Sequence, residues 1–331
     1  MLRGAIALLL LASPAAARVW QVGPQAELKL PSNAARVAEA GDTVAIAPGK
    51  YFDCAVWNQD RLTITGAGDG VVLTDQTCQG KAIFVVNGTD VTISRITFSR
   101  ARVGDGNGAG IRAQGGSLAV RDSRFVNNQA GILMAGNPAA NLTVADSRFE
   151  ANGACEAGRC TASLMVGGIA SLRVECSVFT AARGGALVQS GAAHTEIRES
   201  RLEDGPDGHA SALLEVMAPG SVVVVGNALQ KGPGATGPAA IALRRGGNAA
   251  GELRFRGNTL RNDTGAAAAF VLDWTSGDPV LEANTIPAGD TAVSSQGVLR
   301  NRASSAAHGA VDSAQDVAKW ARRTARSVLA F

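Results

Sequence analysis

The chain has 331 residues, of which 46% are hydrophobic, 4% aromatic and 18% charged, with 40 glycines and a formal charge of +3. This composition excludes a disordered chain, which needs few apolar residues and much charge. The small net charge excludes a partner held by bulk electrostatics, nucleic acid above all. Few aromatics beside many glycines and β-branched residues point to short strands and tight turns rather than an aromatic-centred core.

The chain opens with Arg3, an apolar run from Ala5 to Ala12, and the small residues Ala15–Ala17. That is the pattern of a secretory signal peptide over residues 1–17, cleaved before Arg18. The run is too short to span a bilayer, and no later stretch is long and apolar enough to do so. Removing Arg3 lowers the formal charge from +3 to +2. A periplasmic or secreted location is expected, where disulfides persist.

Residues 18–41 read as an N-terminal cap. Its short helix over Pro31–Ala40 has Ser32 or Asn33 as cap and Gly41 as stop. Strands follow at Thr43–Ala47, Arg61–Thr65 and Val71–Thr74. One pattern then recurs: apolar, any, apolar, two of any type, small polar, any, apolar. Its copies include Leu118–Phe125, Leu142–Phe149, Leu172–Phe179, Thr195–Leu202, Val222–Leu229, Leu253–Leu260 and Pro279–Ile286. From Phe98 to Ile286 the closing residues are 27, 24, 30, 23, 27, 31 and 26 positions apart, the period of a solenoid. The small polar residue runs through Ser123, Ser147, Ser177, Ser200, Asn227, Asn258 and Asn284, and stacked side chains of this kind can bond to each other and to turn backbone.

Between the copies lies a further strand. It is expected at Ala82–Val86, Gly110–Ala113, Gly131–Met134, Ser163–Val166, Ala186–Gln189, Leu213–Val216, Ile241–Arg244 and Phe270–Asp273. Each coil then holds about three short strands. The missing leucine-rich spacing argues against that repeat, and a propeller blade needs four strands in about 40 residues. The expected architecture is an all-β, right-handed parallel β-helix over 42–300. Residues 301–331 add a linker and an amphipathic helix, with Val317, Trp320, Ala321, Thr324 and Val328 on one face and Lys319, Arg322, Arg323 and Arg326 on another. Such a helix suits a cap over the last coil or contact with a membrane surface.

Cys54 and Cys78 lie one coil apart, and Cys155 and Cys160 bracket a short loop, so two disulfides are expected; Cys176 reads as a small buried hydrophobe. No zinc spacing is present, and no metal or cofactor is expected. Asp105 and Asn107 supply only a fragment of a calcium loop.

The run GDTVAIAPGKYFDCAVW, the LTITGAG after it and the repeated ladder resemble the pectate-lyase-like superfamily of right-handed parallel β-helix proteins. In particular, the chain looks like exported β-helix proteins of Gram-negative bacteria. The resemblance covers most of residues 41–300. It implies a groove along the third strand of each coil, where carbohydrate-active members place substrate. The corresponding segments Ser163–Gly168, Gly185–Gly191 and Ser211–Gly220 are rather apolar here, which departs from the polar or basic groove of such members.

Aligning the third strands on Ile111, Ile132, Leu164, Val188, Leu214, Leu243 and Leu272 as inward residues makes the next residue of each point outward. Glu215, Arg244 and Asp273 then form an acid–base–acid column, with Gln189 beside it. Two carboxylates two coils apart, about 9–10 Å, approach the spacing of an inverting glycosidase. The expected catalytic residues are thus Glu215 and Asp273, with His209 as a base beside a uronate carboxylate. Arg244, Arg245, Gln189 and Arg112 are the expected substrate contacts, since arginine pairs bidentately with carboxylates. The plain alternative is a solvated salt-bridge ladder. Two functions stay open: an enzyme on an acidic polysaccharide (lyase, epimerase or hydrolase), or a carbohydrate-binding or envelope-structural module without a reaction.

Overall fold

The computed structural model describes residues 17–156, 158–217, 219–244, 251–275 and 277–295. They form a right-handed parallel β-helix of three sheets. Sheet A has eleven strands, from Val19–Val22 to Val280–Glu282. Sheet B has nine, from Gly49–Tyr51 to Thr259–Asn262. Sheet C has ten, from Ala55–Trp57 to Thr291–Ser295. Between the terminal coils each coil contributes one strand to each sheet, and pairing between coils is parallel, as in Leu118↔Leu142↔Leu172.

The ladder pattern spans the sharp turn from sheet A to sheet B. The residue before the small polar one takes a left-handed conformation, as at Asp122, Asp146 and Glu199. This turns the next side chain into the interior. There Ser147 Oγ accepts the Ser123 N–H at 3.2 Å, Ser177 Oγ that of Ser147 at 3.1 Å, and Ser200 Oγ that of Ser177 at 3.1 Å. The stack continues through Asn227, Asn258 and Asn284, whose amides also bond to each other. Buried polar groups are tolerated because each finds a partner. A second buried stack, missed in the sequence, joins Asn128 to Asn152 at 3.0 Å.

The closing residues of the pattern fill the core. Phe98, Phe125, Phe149 and Phe179 stack with centroids 5.3, 4.6 and 4.4 Å apart. The ladder explains two glycines. A Cβ on Gly110 would stand 2.8 Å from the Phe125 ring, and one on Gly131 2.6 Å from that of Phe149.

Helix α1 (Pro31–Val37) lies against the strands Val19–Val22 and Ala55–Trp57. It is shorter than expected and begins differently. Leu30 is the N-cap, Pro31 opens the first turn, and Asn33 is the third helical residue, whose Oδ1 accepts the Leu30 N–H at 3.2 Å. Cys54–Cys78 and Cys155–Cys160 are disulfide-bonded. Cys176 is exposed rather than buried, because it occupies the left-handed turn position and points away from the core. The signal-peptide residues before Ala17, Arg245, His308 and the C-terminal amphipathic segment lie outside the described residues.

Candidate functional site: the outer face of sheet C

The third strands form close to where they are expected, at Ala82–Val86, Ala109–Ala113, Ala130–Met134, Leu164–Val166, Ala186–Ser190, Ala212–Val216, Ala239–Leu243 and Ala269–Asp273. Their register carries the site. Val85, Arg112, Leu133, Met165, Gln189 and Glu215 are successive partners and form one row. Their neighbours Val86, Met134, Val166 and Val216 belong to the interior cluster, so this row faces outward.

The row continues through Ala242 and Leu272, not through Arg244 and Asp273. Each strand carries two consecutive core residues at its bend, as in Leu213–Leu214, Ala240–Ile241 and Phe270–Val271. That doubling displaces the expected alignment by two residues at Leu243 and by one at Leu272. A two-residue slip keeps a side chain on its face; a one-residue slip reverses it. Asp273 therefore pairs with Leu243, in the row of inward residues, and its Oδ1 accepts the Thr275 N–H at 2.7 Å. The acid–base–acid column does not form.

Arg244 does reach Glu215. Its Nε donates to Glu215 Oε1 at 2.7 Å, its Nη2 lies 2.6 Å from the same oxygen, and its guanidinium carbon stands 4.4 Å from the centre of the Trp274 ring. The Glu215 side chain is 1% exposed and that of Arg244 10%. Burial pushes the Glu215 carboxyl above the usual carboxylate range, against the pull of Arg244. Burial likewise lowers the Arg244 guanidinium. Gln189 sits beside Glu215 on the next coil and is itself buried. Arg112 is half-buried farther along the row, between Val85 and Leu133.

His209 is not part of this group. It is exposed in the loop before Ala212–Val216, and its Nδ1 lies 3.3 Å from the Gly234 carbonyl oxygen. Six residue steps, at most about 20 Å of chain, separate it from Glu215. His194 begins a sheet A strand and bonds Ser221 Oγ through Nδ1 at 2.5 Å. Asn107 Nδ2 donates to Asp105 Oδ2 at 3.0 Å, closing the turn that resembled a calcium loop. Among the described residues, no group of three or more His, Cys, Asp or Glu side chains is placed to hold a metal.

Sequence reading passed over one buried ionic group. Asp204 accepts the N–H groups of Ala182 and Ala210 at 3.2 and 2.8 Å. Fully buried Lys231 donates to the Gly237 carbonyl at 2.7 Å, and burial lowers its ammonium to about 8. The one hint was a lysine two positions after Leu229, the closing residue of a repeat.

Residues 50–163 match the family model described as "Right handed beta helix region", about a third of the chain. Two solved structures are similar in chain course. One is the pectin methylesterase from Aspergillus niger, at 10% identity and a TM-score of 0.38, covering 86% of this chain and 87% of that one. The other is the catalytic unit of an alpha-1,3-glucanase from Streptomyces thermodiastaticus, at 15% identity and a TM-score of 0.31, covering 86% and 70%. No curated protein sequence matches. A coil shared at such identities says nothing about a shared reaction.

Proposed function

We propose that this is an exported β-helix protein that holds an acidic polysaccharide without transforming it. The observation that carries the non-catalytic reading is the state of Glu215. It is the one carboxylate in its row, it is withdrawn from solvent, and Arg244 and Trp274 close over it. A hydrolase needs two reachable carboxyl groups across the scissile bond. A lyase or epimerase needs a base beside the substrate carboxylate, and His209 stands in the loop before the strand that carries Glu215.

Sheet B offers the surface for holding. Arg124 and Arg148 are in-register partners on its outer face, both exposed. Arg148 has no ion-pair partner among the described residues, and the Arg124–Glu150 contact is loose at 3.9 Å. Guanidinium groups at rung spacing, about 4.8 Å, suit a chain of carboxylates. The two disulfides support an oxidising compartment, periplasmic or extracellular.

The test is chromatography of the mature protein on immobilised uronate polymers, with absorbance of unsaturated products and reducing ends followed in parallel. Retention that weakens with salt, drops in R124S/R148S, and occurs without product supports the reading. Product formation, or no retention on any uronate polymer, overturns it.

A further inference from the structure

The outer face of sheet C is mostly apolar and largely withdrawn from water, with Gln189 and Glu215 buried in its row and Arg112 half-buried. Val85, Leu133, Ala242 and Leu272 are at most 2% exposed, and Met165 is 5% exposed. Beside them runs a column of alanines, one per coil, including Ala109, Ala130, Ala186, Ala212 and Ala239. Together they form a hydrophobic cluster separate from the interior one. It contains only residues of sheet C and its adjoining turns, with Val56 and Cys78 packed at its edge. On the other two sheets outward residues such as Arg124, Arg148, Arg173 and Arg254 are exposed, and the buried ones, such as Glu196 and Val223, do not form a continuous apolar row. A layer one side chain deep cannot shield itself, and bare it would be an apolar patch larger than monomeric proteins usually show. Something must lie on it.

We propose that residues 310–331 form an amphipathic helix that docks lengthwise on this face. Three observations favour this occupant. The last described strand, Thr291–Ser295, belongs to sheet C itself, so the segment that follows begins at the end of the face in question. Val317, Trp320, Ala321, Thr324 and Val328 make a stripe at helical spacing, with the basic residues elsewhere on the surface. The lengths also match. A helix over residues 310–331 is about 33 Å long, and the seven coil steps from Leu272 to Val85 span about 34 Å. The alanine column makes a shallow trough in which a helix can approach the sheet closely. The helix then lies along the side of the solenoid rather than over its end, with its cationic face outward. This proposal is independent of any glycan-binding role.

The test uses the mature chain, residues 18–331. Met165 lies under the docked helix and Met134 in the interior, so peroxide oxidation followed by peptide mass spectrometry compares the two. Both are expected to resist in the wild type. In V317E/W320E, Met165 is expected to oxidise at least tenfold faster while Met134 stays protected. Rapid Met165 oxidation in the wild-type mature chain overturns the proposal and points to residues 1–17 as the cover. Unchanged protection in the variant also overturns it. Should the variant misfold, p-benzoylphenylalanine in place of Trp320 supplies the second measurement. Photocrosslinks within one chain to residues 133–272 of sheet C are expected; crosslinks to a second copy, or none, overturn the proposal.

Discussion

Arg124 and Leu133 stand on one coil, Arg148 and Met165 on the next. In each pair the sheet B residue is exposed and the sheet C residue is buried. Both faces descend from the same repeat and share the same interior, including the phenylalanine stack. The difference is that sheet B meets water while sheet C is covered. A β-helix can thus carry an outward face that serves as a second core, and its groove side need not be the side that meets a ligand.

The largest expected effect is on sheet C. Arg244→Ala leaves Glu215 charged and buried without its partner, and is expected to cost about 3–5 kcal/mol in chemical denaturation. The double variant E215Q/R244M should recover much of that loss, since it removes both charges. Next is truncation on the two faces. Leu133→Ala is expected to cost about 2–5 kcal/mol, and Arg148→Ala within about 0.5 kcal/mol. Equal costs would break the contrast between the faces.

Titration sharpens it further. The unfolded chain keeps the Lys231 proton up to the ordinary value of 10.5, while the folded chain gives it up at about 8. Between these values the unfolded state binds more protons, so this residue contributes stability that rises with pH. The stability of the wild type relative to Lys231→Met is therefore expected to improve from pH 8 to pH 10, by about 1 kcal/mol per unit at most. The smallest effect belongs to the surface pair Asp75–Arg100. The hydrogen bond from Arg100 holds the Asp75 carboxyl at about 2, below its ordinary 3.8. Its contribution is present above pH 3.8 and lost as pH falls toward 2. Asp75→Asn should slightly flatten that part of the acid unfolding curve.

The coil was legible because its signals are local. The Ser/Asn column and the spacing of Phe98, Phe125, Phe149 and Phe179 locate the turn and core of each coil. The third strands were equally visible, to within two residues at either end. The candidate site was not. Its geometry depends on register, and two adjacent inward residues at the bend of each strand defeat a simple alternation rule. That doubling turned Asp273 inward and displaced Arg244 along its strand. Cys176 failed for a related reason, since the pattern locates a turn but does not say that its left-handed residue points to water.

The division between the faces is tested most directly by comparing two double variants on one uronate column. R124S/R148S, altered on sheet B, is expected to lose retention, while E215Q/R244M, altered on sheet C, keeps it. Loss of retention in E215Q/R244M with R124S/R148S unaffected would contradict the account and return the binding surface to sheet C.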